Sequence, residues 1–172
     1  MSNVRILGGV AKGGYLQVPK SARPTGVRVR KSLFDLLAVH FPEGSFCDLF
    51  AGSGAVGLEA ASRGYEVTLV ERNTAAVKSI EANARQLNLS VNVVQSAAHS
   101  FGGLGSFDIL FVDPPFSLDI QDIAKDILGR LLCAQGLCVI QHPTTLVLPE
   151  ESGYHLERRV YGSNALSLYW KA

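Results

Sequence analysis

One short stretch, residues 47–57, constrains the fold of this chain more than any other. It reads C-D-L-F-A-G-S-G-A-V-G, so an apolar run ends in an acid and then passes through three glycines into helix-forming residues. A strand–turn–helix corner of this kind exposes backbone N–H groups at a helix N-terminus, where polar or anionic ligand groups can bind. Gly52 and Gly54 allow positive φ and close approach of a ligand, and Gly57 permits close packing of helix on strand. The stretch therefore predicts a ligand-binding turn in an α/β fold.

Strand-like and helix-like segments alternate along the rest of the chain. The predicted helices cover 28–39, 55–63, 74–87 and 118–132, and Thr25 is the expected N-cap of the first. The predicted strands cover 45–50, 66–71, 91–95, 107–113, 137–141, 154–161 and 165–170. Such alternation predicts a doubly wound, mostly parallel seven-stranded sheet with an antiparallel C-terminal hairpin. Two further β-prone runs, 4–7 and 15–18, predict a small N-terminal hairpin.

A length of 172 residues predicts a single domain over 1–172. Residues 1–24 form its basic hairpin and connector, and 25–172 form its core. We expect a cytoplasmic protein, because no apolar run is long enough to span a membrane and Arg5 and Lys12 interrupt any N-terminal signal sequence. A monomer is the default expectation. Cys133 and Cys138 lack a histidine pair at zinc-site spacing, so neither a metal nor a disulfide framework is expected.

Three acids fall at the carboxyl ends of predicted strands, the edge at which open α/β sheets bind ligands. They are Asp48, Glu71 and Asp113. Together with F-A-G-S-G and D-P-P-F, they look like those of an S-adenosylmethionine-dependent methyltransferase of the Rossmann-like class. In that setting Glu71, nineteen residues after Gly52, can accept hydrogen bonds from both ribose hydroxyls. Asp48 can reach the ammonium group of the cofactor's methionine part.

The D-P-P-F turn, Asp113 to Phe116, suits a planar substrate that carries an amine. Consecutive prolines fix φ and remove two N–H donors, so the turn is stiff. The carbonyl of Pro114 and the carboxylate of Asp113 can accept hydrogen bonds from one exocyclic amine, while Phe116 stacks on the ring. Two acceptors keep electron density on a poorly nucleophilic nitrogen and align its lone pair with the methyl group. A nucleobase must leave its stack to reach such a pocket.

Charge is distributed unevenly along the chain. Residues 1–34 contain seven basic and no acidic side chains, whereas the remainder contains nine basic and fifteen acidic ones. A basic segment on a mildly acidic body predicts a face that binds a polyanion.

The motifs resemble, nearly from end to end, those of bacterial 16S rRNA guanine-N2 methyltransferases of the RsmD type. The segments that carry the resemblance are R-I-L-G-G (5–9), K-G-G-Y-L-Q-V-P (12–19), R-P-T-G-V-R-V-R-K-S-L-F (23–34), D-L-F-A-G-S-G-A-V-G-L-E-A (48–60), F-D-I-L-F-V-D-P-P-F (107–116) and Y-G-S-N-A-L-S-L-Y (161–169). The D-P-P-F element alone would also suit adenine-N6 enzymes, and the R-P-T segment favours this family.

The resemblance implies a class I methyltransferase that binds S-adenosylmethionine and acts on 16S rRNA or an assembling small ribosomal subunit. It implies that Asp113, Pro114, Pro115 and Phe116 hold the target guanine. The cofactor residues expected on this basis are Asp48, Phe50, Gly52, Gly54, Glu71, Arg72, Ser96 and Ala97. The expected rRNA contacts are Arg5, Lys12, Arg23, Thr25, Arg28 and Arg30.

The chain departs from the family pattern at three places. Residues 94–98, V-Q-S-A-A, lack the acid that often binds the adenine amino group; Gln141-His142 ends the fifth strand without an acid; and Phe116 replaces a commoner Tyr. Three alternatives therefore stay open: an adenine-N6 methyltransferase on DNA or RNA, a nicotinamide-dependent oxidoreductase built on G-x-G-x-x-G, and a non-catalytic rRNA-binding module with a decayed cofactor site.

Overall fold

The computed structural model describes residues 2–131 and 135–172, in two compact units of which one ends at Phe101 and the other begins at Gly102. The first unit contains β1 (Ser2–Arg5), β2 (Tyr15–Val18), α1 (Val27–His40), β3 (Ser45–Asp48), α2 (Ala55–Ser62), β4 (Glu66–Glu71), α3 (Thr74–Gln86) and β5 (Asn92–Gln95). The second contains β6 (Ile109–Val112), α4 (Ile120–Leu131), β7 (Leu137–Pro143), β8 (Tyr154–Tyr161) and β9 (Asn164–Lys171). Leu132, predicted to end α4, and Cys133 lie outside the described residues.

In the first unit, β3, β4 and β5 pair in parallel, with β4 between the other two. The register places Cys47 beside Thr68 and Leu69 beside Val93. Apolar residues of β3 and β4, such as Phe46 and Leu69, are fully buried. Parallel pairing in this register brings the carboxyl ends of the three strands to one edge, which sets the position of Asp48 and Glu71.

In the second unit, β6 and β7 pair in parallel, and β9 and β8 follow as an antiparallel hairpin. All four residues of β6 are buried, as is typical of a parallel strand covered on both faces. The hairpin turns at Gly162, whose φ of 61° is the left-handed value that glycine adopts readily.

The predicted fold class is confirmed. The chain is α/β, with a mostly parallel seven-stranded sheet, an antiparallel C-terminal hairpin and a small N-terminal hairpin. Two local predictions are wrong. The first strand covers Ser2–Arg5 rather than 4–7. Helix α1 is capped by Gly26, without a side-chain hydrogen bond, rather than by Thr25.

The N-terminal hairpin is packed firmly on α2 and α3. Its buried residues, Val4, Leu16 and Val18, lie on one face. A Cβ on Gly9 would lie 1.9 Å from the carbonyl oxygen of Ser62, so only glycine allows this approach of the hairpin loop to α2. The side chain of Asn83 accepts a hydrogen bond from the Gln17 N–H and donates one to its carbonyl, both at 3.0 Å. The basic N-terminus is therefore a fixed surface of the first unit.

Among the helices of the described residues, none is both long and apolar enough to cross a membrane. Cys47 and Cys138 are both fully buried. Within those same ranges, no three His, Cys, Asp or Glu side chains form a group that could hold a metal ion.

Candidate cofactor site and base-binding turn

The turn between β3 and α2 has the backbone conformation that its glycines predict. Gly52 and Gly54 have φ of 54° and 80°, and Gly54 is the N-cap of α2. Apart from Gly52 itself and its two chain neighbours, no heavy atom of the described residues lies within 4 Å of the place that a Cβ on Gly52 would occupy, whereas a Cβ on Gly54 would lie 2.9 Å from Ile80 Cγ1. The backbone at Gly52 is therefore open to a ligand, and that at Gly54 is held against α3.

Asp48 lies beneath this turn. Its side chain is only 1% exposed, and its Oδ2 accepts a hydrogen bond from the Gly57 N–H at 3.0 Å. The predicted close packing at Gly57 is confirmed, since a Cβ there would lie 2.4 Å from Leu69 Cδ2. The carboxylate of Asp48 thus ties the end of β3 to the first turn of α2, where it also complements the helix dipole. Its contact with a cofactor ammonium stays a prediction.

Glu71 ends β4 and reaches the same turn. Its Oε1 accepts a hydrogen bond from the Gly52 N–H at 3.2 Å, and its Oε2 accepts one from the Asn73 N–H at 2.9 Å. The side chain is half-buried. A carboxylate has about four acceptor sites, so these two bonds orient it and leave it able to accept hydroxyl donors.

The remaining predicted cofactor residues adjoin the ends of β3, β4 and β5. The Ser96 N–H donates to the Glu71 carbonyl at 3.1 Å, and the Ser96 hydroxyl donates to the Ala97 carbonyl at 2.9 Å. Arg72 is exposed, and Phe50, two residues after β3, is half-buried. The structure thus brings the β4 and β5 residues of the predicted set together at one edge of the first unit.

Gln95 is a residue of this edge that sequence reasoning missed. Its Nε2 donates to Thr74 Oγ1 at 2.7 Å and lies 3.4 Å from the Arg72 carbonyl oxygen. The sequence signal that could have identified Gln95 was its position as a polar residue at the end of a predicted strand.

The D-P-P-F turn lies in the second unit, directly after β6. Pro114 is buried, Pro115 is exposed, and Phe116 is 79% exposed, so its ring face is available for stacking. The Leu118 N–H donates to the Pro115 carbonyl at 3.1 Å and closes the turn. Burial raises the pKa of Asp113 from 3.8 to about 6, because the charged carboxylate is poorly solvated there. A carboxyl with this pKa can accept and release a proton near neutral pH.

His142 lies at the end of β7, the strand beside β6, and is buried. Its Nδ1 lies 2.8 Å from the Pro143 carbonyl oxygen and its Nε2 lies 2.7 Å from Ser167 Oγ. Because a carbonyl oxygen can only accept, Nδ1 carries the hydrogen and Nε2 accepts from the serine hydroxyl. Burial lowers the pKa of His142, because the charged ring is poorly solvated there. The pair fixes the end of β7 and is closed to solvent.

Four of the six predicted rRNA contacts are exposed on the first unit: Arg5, Lys12, Arg23 and Arg28. Thr25 is buried. Arg30 does not fit the prediction, because its side chain is 1% exposed. Its Nη1 donates to Glu59 Oε1 at 3.1 Å and to the Arg5 carbonyl at 3.0 Å, and its Nε donates to the Thr25 carbonyl at 3.1 Å. Arg30 therefore holds the N-terminal segment in place and cannot reach a phosphate at the surface.

Glu59 is the second residue that sequence reasoning missed. It lies on α2 with 0% exposure. Besides Arg30, its carboxylate accepts from the N–H groups of Leu7 and Gly8 at 2.8 and 3.0 Å and from Arg63 Nε at 2.9 Å. Burial lowers the pKa of Arg30, and Glu59 opposes that effect. A single acid inside the otherwise small and apolar helix A-V-G-L-E-A-A-S was the signal.

The chain matches known proteins along nearly all of its length. The family model described as Conserved hypothetical protein 95 matches residues 4–170. Ribosomal RNA small subunit methyltransferase D of Escherichia coli K12 is 44% identical over 176 residues, which cover 96% of this chain and 89% of that protein. The structure of a hypothetical protein from Thermus thermophilus shares 46% identity and a TM-score of 0.87, over 96% of this chain and 98% of that one.

A more distant solved structure shares the fold alone. It is magnesium protoporphyrin IX methyltransferase from Synechocystis PCC 6803 with bound SAM. Its identity to this chain is 13% and the TM-score is 0.67, over 84% of this chain and 79% of that one.

Proposed function

The chain belongs to the family described as Conserved hypothetical protein 95, the RsmD family of small-subunit rRNA methyltransferases, and we propose that it methylates the N2 amine of a guanine in 16S rRNA. The proposed methyl donor is S-adenosylmethionine, and the proposed substrate is the rRNA or an assembling small ribosomal subunit in the bacterial cytoplasm. The observation that carries the proposal is the D-P-P-F turn, where a half-buried acid with a raised pKa precedes an exposed aromatic ring.

The residues around the β3–α2 turn fit this cofactor. The open backbone at Gly52 admits a ligand where a Cβ would obstruct it. Glu71 is held by two backbone N–H groups with acceptor capacity left for a ribose diol. Asp48 adds a buried carboxyl group beside the turn, whose oxygens are acceptors suited to an ammonium group. When bound, the sulfonium cofactor supplies an electrophilic methyl group.

The chain's own residues on the base side then position and deprotonate the amine. The carboxylate of Asp113 and the carbonyl of Pro114 each accept a hydrogen bond from the N2 amine. These two bonds prevent rotation of the amine and keep its lone pair on nitrogen. Phe116 stacks on the guanine ring and excludes water from one face. The carbon–nitrogen bond would form as the methyl–sulfur bond breaks and the bonding pair stays on sulfur as a neutral thioether. The nitrogen loses a proton to Asp113, which releases it to solvent. A pKa of about 6 allows both steps at neutral pH.

The exposed cations of the first unit supply the RNA contacts of this proposal. Arg5, Lys12, Arg23 and Arg28 are all exposed and lie in a segment without acids. Such side chains contribute affinity through phosphate neutralisation, which weakens as salt is added.

Mass spectrometry of rRNA nucleosides tests the proposal. Small subunits from cells lacking this protein are incubated with the purified chain and S-adenosylmethionine, and N2-methylguanosine is the expected product. Asp113→Ala should lower the rate by about 10² or more, whereas Asp122→Ala, an exposed acid of α4, should leave it unchanged.

Other outcomes separate the alternatives. N6-methyladenosine as the product would identify an adenine enzyme. Absence of both product and calorimetric heat at millimolar S-adenosylmethionine would identify a non-catalytic module. Full turnover by Asp113→Ala would remove that residue from the mechanism.

A further inference from the structure

The outer face of the N-terminal hairpin carries four exposed residues in adjacent pairs. Burial alternates along both strands, so that Val4 and Leu16 point inward. The register pairs Arg5 with Tyr15 and Asn3 with Gln17. In an antiparallel pair, residues directly opposite each other lie on the same face. The outer face is therefore a contiguous patch formed by Asn3, Arg5, Tyr15 and Gln17.

This patch is presented on a rigid support. The carboxylate of Glu59 accepts hydrogen bonds from the backbone that follows β1, and Asn83 bonds both backbone groups of Gln17. Ser62 of α2 binds the hairpin loop, since its hydroxyl accepts from the Ala11 N–H at 2.9 Å and donates to the Gly8 carbonyl at 2.6 Å. A ligand on the outer face would meet pre-ordered side chains and would lose little entropy in ordering them.

The patch has the composition of a surface that binds bases. The ring of Tyr15 is 50% exposed, and every base has a π-face that can stack on an aromatic ring. The side-chain amides of Asn3 and Gln17 each offer donors and an acceptor, as base edges do. The surrounding segment, residues 1–34, carries seven basic and no acidic side chains, which complements a polyanion. Phosphate contacts alone would require neither an exposed aromatic ring nor the two amides.

We infer that the outer face of the N-terminal hairpin binds unpaired bases of RNA, with Tyr15 as the stacking residue and the amides of Asn3 and Gln17 at the base edges. Arg5 lies beside the stacked base, where it neutralises the adjoining phosphate. The inference rests on the proposed function for its choice of RNA as the partner. It adds that this surface selects single-stranded loops or extruded bases over continuous duplex, because stacked and paired bases cannot lie on the ring.

Fluorescence anisotropy with the full-length chain tests the inference. The two probes are an RNA stem-loop with unpaired purines and a blunt RNA duplex of the same length and composition. Tyr15→Ala should weaken binding of the stem-loop about 5- to 100-fold and leave duplex binding unchanged. Tyr15→Phe, which keeps the ring, should bind like the wild type. The slope of log affinity against log salt should not change for either variant, because stacking releases no counterions.

The assay does not depend on methyl transfer, so its outcome can be separated from that of the proposed function. Equal affinity of Tyr15→Ala and wild type for the stem-loop, or an equal loss for both probes, would overturn the inference and leave the proposed methyltransferase intact. Failure of the wild-type chain to bind either RNA would also overturn the inference, whereas the proposed methyl transfer is decided by the N2-methylguanosine assay on small subunits. Thermal melting followed by circular dichroism checks that each variant is folded.

Discussion

Replacement of Asp113 by asparagine should stabilise the protein while it abolishes most of the activity. Burial raises the pKa of this carboxyl from 3.8 to about 6, so the folded state binds its proton more tightly than the unfolded state does. The stability contributed by the protonated form is therefore fully present below pH 3.8 and is lost as the pH rises to about 6.

The size of this effect follows from the two pKa values. At about 1.36 kcal/mol per pH unit, the difference between 3.8 and about 6 corresponds to about 3 kcal/mol of unfolding free energy at pH 8. At pH 4.5 the carboxyl is mostly protonated in the folded protein, and the loss of unfolding free energy caused by its burial falls to about 1 kcal/mol. Asparagine has nearly the same shape and carries no charge. The unfolding free energy of Asp113→Asn should thus be higher than that of the wild type, and this difference should be about 2 kcal/mol larger at pH 8 than at pH 4.5.

Urea unfolding at the two pH values measures this difference. Asp122→Asn is the control, because it removes an exposed carboxylate from the same unit. Its effect on the unfolding free energy should be equal at both pH values. In parallel, methyl transfer by the wild type should decrease as the pH falls below about 6, and Asp113→Asn should retain about 1% of the wild-type rate or less.

One result would refute the reasoning. If the stability difference between Asp113→Asn and the wild type is the same at pH 8 and pH 4.5, the carboxyl is well solvated in the folded protein. An activity profile that is flat through pH 6 would contradict its proposed role as the acceptor of the amine proton.

Three further predictions concern the first unit. Glu71→Ala should weaken S-adenosylmethionine binding about tenfold or more by calorimetry, while Glu66→Ala, exposed on the same strand, should leave it unchanged; equal affinities would place the ribose elsewhere. Arg30→Met should lower the unfolding free energy by about 1–3 kcal/mol, because the buried Glu59 carboxylate then keeps only Arg63 and two backbone N–H groups as donors, whereas Arg28→Ala should reduce the salt slope of RNA binding by about 1 with little effect on stability. Gly57→Ala should destabilise the protein by about 1–3 kcal/mol in urea, since the added Cβ would overlap Leu69, and unchanged stability would mean that α2 moves without cost.

Local patterns predicted the regular elements well where both their ends are marked. Strand β4 has the predicted bounds, because V-T-L-V is preceded by the glycine that ends α2 and followed by Asn73, which caps α3. The first strand was displaced by two residues. Its register depends on pairing with β2, and the backbone of Leu7 turns away to bond Glu59, 52 residues along the chain. A local window contains neither partner.

The positions of the residues proposed for the cofactor site were predicted more fully than those of the residues proposed for RNA binding. Strand ends and glycines locate Asp48, Gly52 and Glu71 because their positions follow from chain order alone. Arg30 was misjudged because a cation in a basic segment was assumed to be exposed. Its position on α1, three and seven residues before the buried Leu33 and Leu37, places it on the apolar stripe of the helix. At this position helical periodicity, rather than charge, determined that the side chain is buried. Glu59, the partner of Arg30, lies too far along the chain for a local pattern to identify.

The buried acid of α2 also explains how one short helix serves two proposed functions. At its N-terminus, Gly54 and the carboxylates of Asp48 and Glu71 form the turn that is the proposed cofactor site. Farther toward the C-terminus of α2, Glu59 and Ser62 hold the hairpin that carries the proposed RNA contacts. Eight residues of helix span about 12 Å, so both surfaces are fixed to one rigid element. A buried ion pair adds little to stability compared with an apolar pair, but it accepts only one arrangement of its donors. We infer that its use here fixes the position of the hairpin relative to the β3–α2 turn, which an apolar contact would specify less well.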